Sequence, residues 1–283
     1  QMCIRDRLID RCLEPAMYSK RVLSAFIAKA EELAQKNYPV HIKFNSGLNR
    51  LGFQEEDTHW IAETLSGTDS VRVKSMFSHL AASEDMAERD FTLGQIAKFK
   101  SIASEMKTLL GYEPILHQSN TSAILNYPEA ELDMVRTGIG LYGYGNNPKI
   151  DKKLRPGVNL KSVISQIHRI EPGETVGYNR AFKASGVEVT ATIPIGHADG
   201  IPRSLGNKKG FVLINGEKAP IIGNVCMDML MVNITHIDCR EGDEVTIISE
   251  DIPATTLAEA GNTISYELLT ALSHRIKRVV CRK

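Results

Sequence analysis

The sequence predicts an incomplete (β/α)8 barrel of the TIM type followed by a C-terminal, mostly-β domain. Apolar strands alternate with amphipathic helices until the pattern changes near residue 156, which indicates a parallel sheet covered by helices. Polar side chains stand at the carboxyl ends of successive strands, where barrel enzymes keep their chemistry, and this favours a barrel over a doubly wound sheet. Beyond Pro156 the apolar period becomes two, which is typical of half-buried antiparallel strands.

The barrel part begins with a predicted helix after Ser19 that Pro39 is expected to end. Its apolar face would consist of Val22, Leu23, Phe26, Ile27, Ala30, Leu33 and Ala34. The predicted elements that follow are a strand in YPVHIKFNSG, a helix to Leu65, a strand in VRVKSMFSHLA, a long helix from about Glu88 to Leu110 stopped by Gly111, a strand in EPILHQSNT, a short helix, and a strand in LDMVRTGIGLYG that carries Arg136 at its end.

Only about four βα units can be counted before the pattern changes. Half a barrel cannot close, so we expect the missing strands to lie upstream of Gln1. The opening QMCIRDR has neither a helical nor a strand period, and we expect residues 1–7 not to be native. The predicted domains are therefore a partial barrel over residues 1–156 and a β domain over residues 157–283.

The β domain is predicted from short apolar segments separated by turn signals. These segments are KSVISQIHRI, VEVTATIPIG, GFVLING, APIIGNVCMDMLMVNI and DEVTIIS. Asn215-Gly216 is the strongest hairpin signal in the chain, because both residues tolerate the positive φ that a two-residue turn requires. A helical segment, TISYELLTALSHRIKRVV, is predicted to end the domain.

Composition excludes several classes of function. Lys and Arg total 34 and Asp and Glu total 34, so the net charge favours neither nucleic acid nor an anionic membrane as a partner. No segment approaches eighteen apolar residues, and the N-terminus lacks an apolar signal core. The five cysteines form no CxxC pair, which favours the reducing cytoplasm over a disulfide framework, and no metal is predicted.

Local motifs indicate cofactor chemistry, each against a simpler alternative. VRTGIGLYG brings Arg136 into a glycine turn whose N–H groups could hold a phosphate; the alternatives are a chance turn and a dinucleotide site, the latter disfavoured because no helix follows. Arg50 could bind a carboxylate or lie on the surface. His79 and His117 could be structural, since their spacing matches no metal site. Tyr178 offers a phenol in a Gly/Asn-flanked segment.

Taken together, the motifs resemble the alanine racemase family. HIKFNSGLNRLGF, FSHLAAS, HQSNTSA, DMVRTGIGLYG, VGYNRAF, IPIGHADG, APIIGNVCMDM and ISYE occur in the family's order over roughly residues 15 to 283. The resemblance implies a barrel and a β domain, pyridoxal 5'-phosphate as cofactor, an amino-acid substrate, and a head-to-tail homodimer whose active sites are shared between subunits.

The resemblance also implies roles for residues at matching positions. Tyr178 matches one of the two bases that flank the substrate, and His79 matches the residue bonded to that tyrosine. Arg136 matches the arginine that faces the pyridine nitrogen and keeps it unprotonated. Arg50 and the N–H of Met227 match the carboxylate contacts, and Lys43 matches a lysine that is often carbamylated. The phosphate contacts match Thr121, where serine is commoner, together with Gly138, Ile139 and Tyr266.

Two departures from the family pattern bear on function. His197 stands where a tyrosine usually lines the substrate's path, which affects the expected substrate breadth. The early strand ending KANAYGHG, whose lysine binds the cofactor covalently, is not found in the sequence. We therefore expect a fragment that is inactive alone, while the intact parent is an isomerase interconverting L- and D-alanine for peptidoglycan synthesis. The alternatives are a same-fold racemase of another amino acid and a non-catalytic cofactor-binding module.

Overall fold

The computed structural model describes residues 7–145 and 151–281. Two compact units meet in the chain between Gly140 and Leu141. The domain boundary predicted at residue 156 stays a prediction. Of the segment 1–7, predicted not to be native, residues 1–6 lie outside the described residues, and residues 7–10 are helical, with Ile9 buried.

The first unit is built on a four-stranded parallel sheet with helices between the strands, as the sequence predicts. In spatial order the strands are β1 (Ala16–Met17), β2 (Tyr38–Lys43), β3 (Val71–Phe77) and β4 (Ile115–His117). The α-helices are α1 (Lys20–Glu32), α2 (Thr58–Ser66), α3 (Arg89–Leu110) and α4 (Thr121–Asn126).

One face of the parallel sheet is apolar and packs into the core of the unit. Val40 and Ile42 of β2 and Val73 of β3 are buried in one cluster with Phe26 of α1 and Phe99 of α3. The residues that alternate with them are polar and lie on the opposite face: His41 and Lys43 on β2, and Arg72 and Lys74 on β3. The candidate site is built at the carboxyl end of this polar face.

Helix α1 begins as predicted but ends earlier. Ser19 caps its first turn by accepting a hydrogen bond from the Val22 N–H, and the helix stops at Glu32 rather than at Pro39, which lies inside β2. Ala34 adopts a positive φ of 50° and leaves the helix. As a result, Leu33 and Ala34, predicted on the buried face, are exposed.

The segment around Arg136 is not the strand that the sequence predicts. It contacts the end of β4 through the N–H of Met134 on the Leu116 oxygen and the N–H of Arg136 on the Ser119 oxygen. The Leu116 N–H, however, is taken by the carboxylate of Asp133. The Asp133 side chain thus takes the Leu116 N–H that would bond to a backbone oxygen in a regular parallel ladder. The segment therefore lies beside β4 without forming a strand.

The second unit is mostly β, as predicted. Its main sheet has seven strands in the spatial order β5, β13, β10, β11, β12, β9, β6, all paired antiparallel, and β7 pairs with β8 separately. The strands are β5 (Leu160–Val163), β6 (Gln166–Ile170), β7 (Thr175–Val176), β8 (Phe182–Lys183), β9 (Glu188–Ile193), β10 (Phe211–Ile214), β11 (Glu217–Ile222), β12 (Leu230–Asn233) and β13 (Glu244–Ile248).

The predicted hairpin at Asn215-Gly216 is confirmed. Ile214 of β10 pairs with Glu217 of β11, so the loop has two residues. Asn215 and Gly216 have φ angles of 52° and 83°, which are the positive values that a two-residue turn of this kind requires.

The C-terminal helical segment is shorter than predicted. Helix α6 (Ser265–Ala271) occupies only part of it, because the guanidinium of Arg278 folds back and donates to the oxygens of Leu272, Ser273 and Ile276. A preceding helix, α5 (Ala254–Ala260), was not predicted. Among residues 7–145 and 151–281, no helix has the length and apolarity that crossing a bilayer requires.

Candidate active site

The guanidinium of Arg136 lies where β3 and β4 end. Its Nη2 donates to the backbone oxygen of Ser78 at 2.9 Å and to that of Gln118 at 3.1 Å. Its Nη1 donates to Nδ1 of His117 at 2.6 Å, and Nη2 is 3.2 Å from Nδ1 of His79. Four acceptors from the ends of two strands therefore fix this cation in the first unit.

The two histidines that face Arg136 are neutral bases. A guanidinium only donates, so Nδ1 of each ring must be the acceptor and the ring proton must sit on Nε2. Burial first, and then the charge of Arg136, lowers the pKa of His79 and of His117 to about 4. Within the described residues the Nε2–H of His79 has no hydrogen-bond partner, so it can donate to an incoming oxygen.

The remaining donors of Arg136 fit an aromatic ring nitrogen that carries no proton. Its Nε–H makes no hydrogen bond within the described residues, although both Nη atoms are engaged. Burial lowers the pKa of Arg136, but an arginine remains protonated at neutral pH and can only donate. The pyridine nitrogen of pyridoxal phosphate, held unprotonated, is an acceptor of the kind that this donor suits.

A second set of donors surrounds the hydroxyl of Thr121, the first residue of α4. Its Oγ1 accepts from the N–H of Gly138 at 3.0 Å and from the N–H of Gly140 at 3.3 Å. A Cβ added to Gly138 would meet nothing within 4 Å, so space is open beside this N–H. Both N–H groups are taken by the Thr121 oxygen, whereas the Thr121 hydroxyl hydrogen has no acceptor among the described residues and is a donor that suits a phosphate.

The loop that carries Arg50 is shaped by its own side chains. Asn45 Oδ1 accepts from the N–H groups of Gly47 and Asn49. Gly52 has a φ of 140°, and a Cβ there would lie 2.6 Å from the backbone of Phe44 and Asn45, so only glycine fits. Asn49, Arg50 and Gly52 also line a shallow cavity of about 200 Å³.

Lys43, at the end of β2, lies near Arg136 and Arg50. The Lys43 ammonium lies 5.9 Å from the centre of the Phe77 ring, and the Arg136 guanidinium lies 5.5 Å from it. Burial first, then the charges of Arg50 and Arg136, lowers the pKa of Lys43. Neither Lys43 nor Arg50 forms an ion pair with a carboxylate of the described residues, so this corner of the unit carries unbalanced positive charge suited to an anion.

Tyr178 lies on an exposed turn of the second unit. Its side chain is 73% exposed. Gly177, Asn179 and Arg180 around it have positive φ angles of 77°, 59° and 51°, and Asn224 Nδ2 donates to the Tyr178 backbone oxygen at 3.0 Å. The phenol is therefore exposed on a turn rather than buried in a core.

Met227 lies on a second exposed turn of the same unit, Cys226–Asp228. The Cys226 N–H closes the turn by donating to the Met229 oxygen at 2.9 Å, and two further hydrogen bonds tie the turn to the segment after Gly196, from the His197 N–H to the Cys226 oxygen at 3.0 Å and from the Ala198 N–H to the Met227 oxygen at 2.8 Å. The Met227 N–H has no partner among the described residues and remains a free donor. Burial and the charge of Asp228 raise the pKa of the Cys226 thiol, which argues against a nucleophilic role.

The structure brings together the predicted residues of the first unit: Arg136 with His79, and Thr121 with Gly138. Ile139, also predicted, is buried in the turn that follows. Tyr266 is half-buried at the start of α6 in the second unit. The contact of His117 with Arg136 and the role of the Ser78 and Gln118 carbonyls were not predicted. The only sequence signal for them was a histidine at a strand end.

Both parts of the chain match models of one protein family. Residues 5–146 match the family model described as "Alanine racemase, N-terminal domain" and residues 157–280 match "Alanine racemase, C-terminal domain". Alanine racemase 1 of Clostridium acetobutylicum is 34% identical over 97% of this chain and 72% of its own. The alanine racemase of Halothermothrix orenii is 36% identical over 84% of this chain and 64% of its own.

Solved structures of similar fold include two named alanine racemases. That of Clostridium difficile 630 superposes with a TM-score of 0.89 at 34% identity, over 97% of this chain and 72% of its own. That of Bartonella henselae, solved with covalently bound pyridoxal phosphate, has a TM-score of 0.85 at 28% identity, over 97% of this chain and 75% of its own.

Proposed function

Because this chain belongs to the alanine racemase family, we propose that it is the racemase part of an isomerase that interconverts L-alanine and D-alanine with pyridoxal phosphate. The observation that carries the proposal is the arrangement at Arg136: a cation fixed by four acceptors, with its Nε–H left to donate. The comparisons favour alanine over the two alternatives, a racemase of another amino acid and a non-catalytic module.

Each residue has a defined task in this proposal. When bound, pyridoxal phosphate supplies the electron-withdrawing system that makes the substrate α-proton removable. Thr121, Gly138, Ile139 and Tyr266 hold its phosphate, and Arg136 donates to its ring nitrogen. Arg50 and the Met227 N–H hold the substrate carboxylate. The lowered pKa of Lys43 gives the amine a larger neutral fraction, which supports carbamylation as a means of steadying Arg50.

Tyr178 is the proposed base or acid on one face of the substrate. A free phenol has a pKa of about 10, so the ionised form needs stabilisation by hydrogen-bond donors. His79 is suited to this task, because it is neutral and its proton is on Nε2. We propose that this N–H donates to the phenolic oxygen of Tyr178, and that the tyrosine comes from the partner subunit of a homodimer.

We also propose the cytoplasm as the location and peptidoglycan synthesis as the metabolic role. Cys12, Cys226, Cys239 and Cys281 are free thiols, which supports the cytoplasm as the compartment. D-Alanine made there would serve peptidoglycan synthesis. Activity is to be measured on the gene product together with any coding sequence that precedes residue 1.

The test is racemisation of L-alanine with added pyridoxal phosphate. Tyr178→Phe should abolish most of the activity, with proton removal from L-alanine most affected, and should leave the protein folded because the side chain is exposed. Tyr142→Phe is the matched control, since Tyr142 is also exposed and has no assigned task. No racemisation by the parent protein, or equal activity in both variants, would refute the proposal.

Sharing of the site between subunits has its own test. Tyr178→Phe chains are mixed with Arg136→Lys chains under conditions that exchange subunits. If the two residues act from different chains, each mixed dimer has one intact site, and statistical mixing restores about a quarter of wild-type activity. If both act from one chain, no activity returns and the shared site is refuted.

A further inference from the structure

A chain of polar side chains crosses the parallel sheet on its polar face, from Arg136 to Glu14. Its links are Arg136 Nη1 to His117 Nδ1 at 2.6 Å, His117 Nε2 to Ser75 Oγ at 3.1 Å, Ser75 Oγ to His41 Nδ1 at 2.6 Å, and His41 Nε2 to Glu14 Oε2 at 3.0 Å. We refer to these five residues as the cross-sheet chain.

Neighbouring strands bring the middle of the chain together. His117 is on β4, Ser75 on β3 and His41 on β2. The register of β2 against β3 shifts between Val40 and His41, and this irregularity sets His41 opposite Ser75. Ser75 is 1% exposed and His117 is 5% exposed. Water therefore has little access to the hydrogen bond between them, and breaking it would leave buried polar atoms without a partner.

The Arg136 end of the cross-sheet chain permits only one direction of donation. The guanidinium donates, so Nδ1 of His117 accepts and its Nε2 carries the proton. That Nε2–H donates to the Ser75 oxygen. The hydroxyl hydrogen of Ser75 is then free to donate to Nδ1 of His41, which leaves the proton of His41 on Nε2.

The Glu14 end requires the same direction independently. A carboxylate only accepts, so the His41 nitrogen that faces it, Nε2, must carry the proton. Lys74 Nζ donates to the other Glu14 oxygen at 2.7 Å, and this hydrogen bond is the main cause that lowers the pKa of Glu14. Arg136 can only donate and Glu14 can only accept. The hydrogen-bond directions that the two ends impose are compatible at Ser75, which accepts from His117 and donates to His41.

We propose that Ser75, His41 and Glu14 are positioning residues for the cofactor site, because they hold His117 as the Nε2–H tautomer and His117 in turn holds the Arg136 guanidinium. If His117 carried its proton on Nδ1, that N–H would face the Nη1 donor of Arg136 at 2.6 Å. The guanidinium would then turn away, and its Nε–H would no longer be directed by the ends of β3 and β4. The cofactor role of Arg136 rests on the proposed function, whereas the tautomers of His117 and His41 follow from the hydrogen bonds alone.

The test is NMR of the chain labelled with 15N in histidine and arginine, at pH 7 and without cofactor. Ring-nitrogen signals should show His117 and His41 each as one tautomer with the proton on Nε2. In Ser75→Ala the Arg136 Nε–H signal should shift, although Ser75 does not contact Arg136, and Ser75→Thr should restore it. Ser70→Ala, at another buried serine beside β3, should leave the signal unchanged.

A second variant removes the far end without disturbing the core. Glu14 is about one-third exposed, so Glu14→Ala should fold. It should turn His41 into a mixture of tautomers, and the weaker hold of Ser75 on His117 should shift the Arg136 Nε–H signal in the same direction as Ser75→Ala does, by a smaller amount. Lys74→Ala is the matched control, because it removes the Lys74–Glu14 ion pair and leaves all five residues of the cross-sheet chain in place. In the active enzyme, Ser75→Ala should lower kcat roughly 10-fold, and Ser75→Thr should recover it.

Three results would overturn the inference. They are a proton on Nδ1 of His117, an Arg136 Nε–H signal in folded Ser75→Ala identical to that of the wild type, and an unchanged single tautomer of His41 in Glu14→Ala. If Ser75→Ala does not fold, the Glu14→Ala result decides. A protein with the expected tautomers but no racemisation would refute the proposed function and leave the cross-sheet chain standing.

Discussion

Replacing Gly196 with alanine should displace the Cys226–Asp228 turn. A Cβ at residue 196 would lie 2.4 Å from the Cys226 oxygen and 2.6 Å from the Asp228 nitrogen, and ordinary contact begins at 3.4 Å. The turn must therefore move by about 1 Å, since the atoms that it meets are backbone atoms. The φ and ψ of Gly196 are −148° and −159°, an extended conformation that alanine adopts without strain, so the effect is purely one of contact.

The energetic effect follows from the bonds that hold this turn. Two hydrogen bonds, at 3.0 Å to the Cys226 oxygen and 2.8 Å to the Met227 oxygen, would be stretched or lost, at a net cost of about 0.5–1.5 kcal/mol each. Overpacking adds about 1–3 kcal/mol. The expected loss is about 3 kcal/mol in the free energy of unfolding of the second unit, or a fall of about 1–2 M in the urea midpoint.

The assay is urea unfolding followed by circular dichroism, with KM for alanine measured on the active protein. Gly186→Ala is the matched control, because a Cβ there meets nothing within 4 Å and its φ is not positive. KM should rise in Gly196→Ala alone, since the Met227 N–H moves with the turn. Equal midpoints for the two variants would refute the packing argument, and a lower midpoint with an unchanged KM would refute the role of Met227.

Three further predictions follow from the described geometry. Thr121→Ala should weaken binding of pyridoxal phosphate about 10-fold or more in a fluorescence titration, since the hydroxyl is lost. Thr121→Ser keeps the hydroxyl and should bind the cofactor as the wild type does. Equal affinities of the wild type and both variants would contradict this prediction. The free energy of unfolding should fall as the pH falls from 6.5 towards 4, because the unfolded chain protonates His79 and His117 near their ordinary pKa while the folded chain keeps the pKa of each at about 4. The loss is at most on the order of 3 kcal/mol per histidine. Equal urea midpoints at pH 7 and pH 5 would contradict this prediction. Gly216→Ala should lower the free energy of unfolding by about 1–2 kcal/mol, because an alanine in the left-handed turn is strained, and a shift no larger than that of Gly186→Ala would contradict it.

Local chemistry explains which parts of the fold were predictable. Ser19 as a helix cap, Gly111 as a left-handed helix end with a φ of 72°, and the Asn215-Gly216 turn were predicted because each depends on a few neighbouring residues. The end of α1 was not, since it depends on Ala34 adopting a φ of 50°. An alanine gives no signal for that conformation, so the helical pattern was extended too far towards Pro39.

The candidate site divides in the same way. Residue types at strand ends were predictable, and Arg136, His79 and Thr121 lie where such an arrangement requires. The partners of Arg136 were not, because two of them are backbone carbonyls, which carry no sequence signal. His117 was left open as a structural histidine, since its contact depends on how the ends of β3 and β4 align and on the irregular segment that carries Arg136.

The close packing of Thr121 against Gly140 has an evolutionary consequence. A Cβ at residue 140 would lie 2.9 Å from the Thr121 methyl group, and a serine at 121 would remove that methyl while keeping the hydroxyl. The same Cβ would lie 3.0 Å from Thr137 Oγ1, a side-chain atom that can rotate away, whereas the Thr121 side chain is held because its hydroxyl accepts two hydrogen bonds. Homologues with serine at 121 should therefore accept alanine at 140 more readily than homologues with threonine. The two sites should covary, and reconstructed ancestors should show the exchange at 121 preceding any change at 140.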